Sequence, residues 1–269
     1  DESIRDSIRV FSAMYDAIVI RAQRPEDYLY GIAEYSDVPV INALSLGDHP
    51  TQMLADALTM EEQWGGSGSS RHKQMAFVGN CAGAPLYYGR LCAMLGMDFY
   101  AIGPHNIRHQ MCKAHREDIQ KMFVTHAPNN KFVVSSDLSL LRGMDVLVTE
   151  QWRYLNPEVG GEVLDPDRYE SWMGDADMLL PYRVSSELMD RTENPDIFVI
   201  HELPSVHNAD HGVGKRLLSQ APDEKSRKII REGFEITDEC FEKNASIIFR
   251  EAENRQHTIK AILCAVLGL

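Results

Sequence analysis

The chain has 269 residues, 44% hydrophobic and 25% charged, enough for one large or two medium domains with real cores. Its net charge of −13 argues against a nucleic-acid partner, because a phosphate backbone must be neutralised by clustered Lys and Arg, although a local pocket can still hold a small anion against that field. No apolar run approaches a membrane span, no signal-peptide pattern opens the sequence, and five scattered cysteines without C-x-x-C spacing point to a reducing compartment such as the cytoplasm, with no disulfide framework and no zinc site.

In chain order, Ile4, Ile8, Phe11 and Met14 share one stripe of a helix over 3–15. Residues 16–21 form a short buried strand ending in Arg21, and Arg24-Pro25-Glu26-Asp27 turns into a helix that ends near Tyr35. The strand Val38–Leu44 follows. His49-Pro50-Thr51-Gln52 then opens a helix to about Trp64, since Pro50 suits a first helical turn, with Leu54, Ala57, Leu58 and Met60 as its apolar face. The segment 65–70 is rich in Gly and Ser and marks the clearest boundary.

The pattern then restarts. Strands are expected at 74–80, 98–103, 132–134, 145–149 and 197–201, with helices at 86–95, 109–125, 138–141, 167–173 and 185–190 between them. A final amphipathic helix, 252–267, turns Ile259, Ile262, Leu263 and Val266 inward. Alternating strand and helix is the mark of parallel α/β sheets, so the expected fold is two doubly wound α/β domains.

Ligands in such sheets collect beyond the carboxyl ends of the strands. The polar residues there are Arg21, His49 and Gln52 in the first part, Asn80, Glu150 and His201-Glu202-Leu203 in the second, and Arg255 near the C-terminus. Arg21, His49, Gln52 and Arg255 read as an anion clamp: arginine offers a planar fork of donors, and histidine and glutamine can polarise a carbonyl. Each alone has a plainer role, the arginines as surface ion pairs and His49 as a capping or core residue. Glu150 and Glu202 are acid–base groups or amine ligands, or else solvated loop carboxylates. Gly79–Ala84 resembles a phosphate turn without matching a known glycine motif, and Cys81 reads as an inert thiol.

Taken together, several stretches resemble the carbamoyltransferase family, in particular its ornithine type. They are Glu2–Asp6, Tyr35–Val40, His49-Pro50-Thr51-Gln52 with Leu54-Ala55-Asp56, Asp145–Thr149 before Trp152, Pro181–Val184, His201-Glu202-Leu203-Pro204 with His207-Asn208, and Ala252–Ala261. The resemblance implies one domain for carbamoyl phosphate and one for an amino acid, with the last helix returning to the first. The expected bounds are residues 1–64 plus 250–269 and residues 65–249. It implies that Arg21, His49, Gln52, Arg255 and the backbone at Leu203 hold carbamoyl phosphate. Glu150, Tyr154, Leu155, His201, Glu202 and Leu203 would face the acceptor. It further implies a homotrimer, no metal or cofactor, and attack of an amine on the carbamoyl carbon with release of phosphate.

The departures fall mostly on the acceptor side. The family's S-T-R-T-R phosphate loop would lie ahead of Asp1, leaving the first domain incomplete. Its S-M-G stretch is Tyr154-Leu155-Asn156, the cysteine of H-C-L-P is Glu202, an aspartate is Glu150, and an asparagine expected near Ala84 is absent. The expectation is therefore a carbamoyltransferase acting on ornithine or an altered amine, against a non-catalytic homologue serving as a binding or assembly subunit.

Overall fold

A computed structural model describes residues 2–22, 24–152 and 169–269. Contacts divide the chain into two compact units, Asp1–Gly66 with Arg250–Leu269, and Ser67–Phe249. Tyr154 and Leu155 lie outside the described residues.

In the first unit, α1 (Ile4–Met14) is capped by the Ser3 side chain, which accepts from the Asp6 N–H. The strand β1 (Ile18–Arg21) pairs in parallel with β2 (Val40–Leu44), and α2 (Glu26–Ala33) connects them. Ile8, Leu29 and Ile32 make a small core against Ile18 and Ile20. The helix α3 (Pro50–Gln63) begins as its proline predicts, with His49 at the cap position but not capping through its side chain.

The buried face of α3 differs from the expected one. Leu54 is 44% exposed, whereas Thr51, Gln52, Asp56 and Thr59 are buried beside Met53, Ala55 and Met60. Gln52, Asp56 and Thr59 follow the three- and four-residue spacing of a single helical face. That face meets a polar row on the final helix. Gln52 Nε2 donates to Asp56 Oδ1 at 2.8 Å and Glu251 Oε1 at 2.7 Å. Asn254 Nδ2 donates to Thr59 Oγ1 at 2.9 Å and Glu62 Oε2 at 3.0 Å, and Arg250 forks onto Glu62 at 2.8 and 2.9 Å. The buried face of α3 carries these polar residues because its partner surface is polar.

In the second unit, β3 (Gln74–Val78), β4 (Asp98–Ile102), β5 (Phe132–Ser135), β6 (Val146–Thr149) and β7 (Phe198–His201) form one parallel sheet in the order β5-β4-β3-β6-β7. The chain runs outward from β3 through β5, then returns to the other side of β3, so the switch in strand order lies between β3 and β6. Side chains alternate across the sheet. Ala76, Val78, Ile102, Leu147 and Val199 pack with Ile236 and Ile248. Phe77 points the other way, onto Tyr88 of α4 (Pro85–Leu95), with ring centroids 5.7 Å apart. On the same side Phe132 stacks with Phe99 and with Phe123 of α5 (Lys113–His126).

The remaining helices are α6 (Glu170–Met173), α7 (Ala176–Leu179), α8 (Ser186–Asp190), α9 (Gly212–Gln220), α10 (Glu224–Glu232) and α11 (Asp238–Leu267). Three expectations need correction. The helix α5 starts at Lys113 rather than His109, because Asn106 turns the chain, accepting from the Arg108 N–H through Oδ1 and from the His109 N–H through its carbonyl. The final helix starts at Asp238, fourteen residues earlier than its apolar stripe indicated, since no breaker interrupts 238–251. Its Val266 is 42% exposed rather than inward. The helices α9 and α10 were not foreseen; capping by His211 and Asp223 starts them.

Gly103, just past β4, fits a very close approach: a Cβ there would lie 2.2 Å from the Gly79 carbonyl oxygen and 2.9 Å from Cys81 Sγ. Gly103→Ala is expected to cost about 1–3 kcal/mol by overpacking, read as a lower urea midpoint with unchanged slope.

Candidate active site

The residues at the carboxyl edge of β6 and β7 take their positions from a carboxylate far along the chain. His201, the last residue of β7, is wholly buried. Its Nδ1 donates to the Glu202 carbonyl at 2.8 Å, and its Nε2 lies 2.9 Å from Glu235 Oε1. Ser205 Oγ donates to the same Glu235 oxygen at 2.7 Å, and the Val206 N–H reaches it at 3.4 Å. Burial alone would raise the Glu235 pKa, but the His201 hydrogen bond and charge, followed by Ser205, bring it below the usual carboxylate value. One buried oxygen thus fixes both ends of Glu202-Leu203-Pro204, whose Leu203–Pro204 peptide is cis.

Glu150 follows β6 directly, at the switch in strand order. Its pKa is pushed up to about 8, first by burial and then by the negative fields of Glu202 and Glu235; the Ala84 N–H, bonded to the carboxylate, offsets part of this. The turn after β3 closes against the same edge. Gly79 has φ +113°, and a Cβ there would sit 2.6 Å from Trp152 Nε1. Thr149 Oγ1 ties β6 back to Val78 O at 2.9 Å. Cys81 is buried, and burial pushes its thiol far above the ordinary value, so it is inert as a nucleophile.

In the first unit, His49 is fully buried, with Nδ1 3.4 Å from Thr51 Oγ1, which in turn donates to Ala43 O at 3.1 Å. Both amide hydrogens of Gln52 are used by Asp56 and Glu251, and its Oε1 is buried without a partner. Gln52 therefore offers an acceptor, where the sequence pattern indicated a donor. Arg21 is exposed at the end of β1, and Arg255 is half-buried on α11, one residue beyond the polar row.

Of the ten residues picked out from sequence, eight have described positions. His201 ends β7, Glu202 and Leu203 follow it, and Glu150 acts electrostatically with Glu202. The reading missed Glu235 and Ser205. The available signal was a lone carboxylate between Phe234 and Ile236: a charge inside an apolar run is buried only with a partner.

Two family models match successive parts of the chain. The carbamoyl-phosphate-binding domain of aspartate/ornithine carbamoyltransferase matches residues 1–62, and the Asp/Orn-binding domain matches residues 72–266. The ornithine carbamoyltransferase of Pediococcus pentosaceus is 36% identical over 275 residues, covering 99% of this chain and 73% of that protein. The anabolic ornithine carbamoyltransferase of Campylobacter jejuni superposes with a TM-score of 0.73 at 26% identity, over 99% of this chain and 74% of that one. The Pyrococcus furiosus enzyme gives 0.74 at 25% identity, over 99% and 71%.

Because the folded Glu235 pKa is depressed, its stabilisation is complete above the unfolded value near 4.5 and is lost as pH falls through the folded value. Glu235→Ala should lower stability by about 3–5 kcal/mol at pH 7, since it strands a buried partner. The gap should narrow below pH 4.5, as read from urea titrations at several pH values; a gap independent of pH would mean the pair is not ionic.

Proposed function

The chain belongs to the aspartate/ornithine carbamoyltransferase family, and we propose that it moves a carbamoyl group from carbamoyl phosphate to the amine of a cationic amino acid, ornithine or an acceptor of similar charge. The observation that carries the acceptor half is the placement of Glu150 at the carboxyl edge of β6, in the fields of Glu202 and Glu235. Where carboxylates crowd, one stays protonated until a cation arrives. An incoming ammonium group relieves that crowding and lets Glu150 ionise. Ionised Glu150 then takes one ammonium proton, the free amine attacks the carbamoyl carbon, the new C–N bond forms, the C–O bond to phosphate breaks, and the second proton of the amine leaves with the phosphate as hydrogenphosphate. Glu202 favours acceptors with more positive charge than a thiol at that position would. Tyr154 and Leu155 are assigned to the acceptor by resemblance alone.

The donor half is assigned to Arg21, His49, Gln52 and Arg255, with the backbone at Leu203. The two guanidinium groups suit the phosphate. The unpaired Gln52 oxygen suits an N–H of the carbamoyl amide, the part of the donor that needs an acceptor. Positioning and electrostatics carry the rate, with no metal or cofactor in the scheme. A homotrimer in a reducing compartment completes the reading; among the described residues no helix is long and apolar enough to cross a membrane.

The test is carbamoyl transfer by the full natural polypeptide, with ornithine and a series of other amines. Arg255→Ala should weaken binding of a phosphonate-bearing bisubstrate mimic by about tenfold or more. Acceptor KM should fall as pH rises toward about 8, because ionised Glu150 binds the cation, and Glu150→Gln should raise KM and flatten that limb. Absence of both turnover and mimic binding would leave a binding or assembly homologue.

A further inference from the structure

A cavity of about 90 Å³ lies on the other side of β3 from the switch in strand order, beyond the carboxyl ends of β4 and β5. Its wall includes Cys81, Gly103, His105, His109, Arg116 and Ser135, and none of its lining residues is acidic, in a chain of net charge −13. We propose that this cavity binds a hydroxyl-bearing tetrahedral oxyanion, inorganic phosphate as hydrogenphosphate, separately from carbamoyl phosphate.

The unmet group is His109. Its side chain is 1% exposed, its Nε2 lies 3.2 Å from Asp175 Oδ2, and neither ring nitrogen makes a hydrogen bond. Burial, outweighing the nearby Asp175, holds the His109 pKa down, so the ring is neutral near pH 7. With the ring proton directed to Asp175, Nδ1 is a buried acceptor that lacks a donor. Such a group normally finds a partner. The O–H of hydrogenphosphate supplies one, whereas sulfate has no proton to give at that pH.

The charge is supplied by Arg116. Its Nε donates to Met111 O at 2.9 Å, which fixes the guanidinium plane, and one Nη makes only a 3.5 Å contact with Gln110 Oε1. The remaining Nη donors suit a phosphate fork. Size sets the ligand class: pockets for drug-sized molecules run to roughly 300 Å³ and above, so this one admits a phosphoryl group and little more.

The test is calorimetric titration of inorganic phosphate into the whole chain carrying Arg255→Ala, which weakens the donor site assigned above. Retained phosphate binding, weaker binding of sulfate, and movement of the His109 ring nitrogen signals on titration are expected. Adding Arg116→Gln should reduce phosphate affinity by about tenfold or more. Ser136→Asp, at the exposed rim, should do the same by repulsion without removing a structural contact, which keeps the test valid if the arginine variant fails to fold. Glycerol phosphate, whose phosphoryl group is mostly a proton-free dianion near pH 7, should bind much more weakly than inorganic phosphate; binding as tight would overturn the role given to the O–H. The proposal fails if the Arg255→Ala chain binds no phosphate, if Ser136→Asp leaves affinity unchanged, or if the His109 signals stay still. Carbamoyl transfer is measured independently, so either reading can fall without the other.

Discussion

A carboxylate sealed from water cannot stand alone, and Glu235 settles its charge by gripping a segment thirty residues earlier. Its Oε1 takes His201 at 2.9 Å and Ser205 at 2.7 Å. Three residues on, Asp238 Oδ1 holds the next part of the same segment, taking His207 at 2.6 Å and Asn208 at 2.7 Å, while the His207 ring stacks on Phe241 with centroids 3.7 Å apart. The loop after β7 is therefore clamped from Glu235, three residues ahead of α11, and from Asp238, its first residue. Such buried pairs are poor sources of net stability, because desolvation offsets most of the attraction. Their effect is to exclude alternatives: any other course for Glu202 and Leu203 would leave Glu235 ionised and unpaired in a dry interior. The turn that presents Glu235 depends on Gly233, at φ +95°, where a Cβ would meet the Ile236 carbonyl at 2.1 Å.

The first unit uses the same logic with neutral partners. The face of α3 that carries Gln52 is buried against Glu251 and Asn254, so helix register is set by directed hydrogen bonds rather than apolar area. Arg250 and Asn254 together hold Glu62 down to a pKa of about 2, chiefly through the arginine hydrogen bond. Because Gln52 spends both N–H groups inside this seam, its orientation is fixed before any ligand arrives, and only its oxygen is left to act. A side chain committed on one side and open on the other is preorganised in the sense that lowers the cost of binding.

The parallel sheet of the second unit was legible because β3, β6 and β7 are short runs of buried apolar residues, and the residues closing β6 and β7 are polar and follow at once. Motifs placed Glu150, His201 and Glu202 for the same reason: they are consecutive with strands that periodicity detects. Glu235 was not legible, because its role is defined by a partner thirty-four residues away and no local period reports a long-range ion pair. The face of α3 was misread for a related reason. Hydrophobic patterning assumes an apolar partner, and here the partner surface is Glu251 and Asn254. The early start of α11 escaped because Asp238–Glu251 mixes charged, polar and apolar residues without a breaker, leaving the stripe of 252–267 as the clearer signal.

Glu150 is half-buried and Glu235 wholly buried at the carboxyl edge of one sheet, yet their affinities for a proton move in opposite directions. Glu235 meets a histidine and a hydroxyl, and its pKa falls. Glu150 meets one main-chain N–H and two like charges, and its pKa rises to about 8. The difference lies in the company each keeps, since burial acts on both with the same sign. A pair of equal acids separated in this way gives one group that remains an anion across the neutral range, holding the loop, and another that changes state there. The anion also contributes to the field that raises its neighbour. Any change that neutralises Glu235 would therefore loosen the loop and also lower the pKa of Glu150, so structure and chemistry at this edge are coupled through the charge of one buried residue.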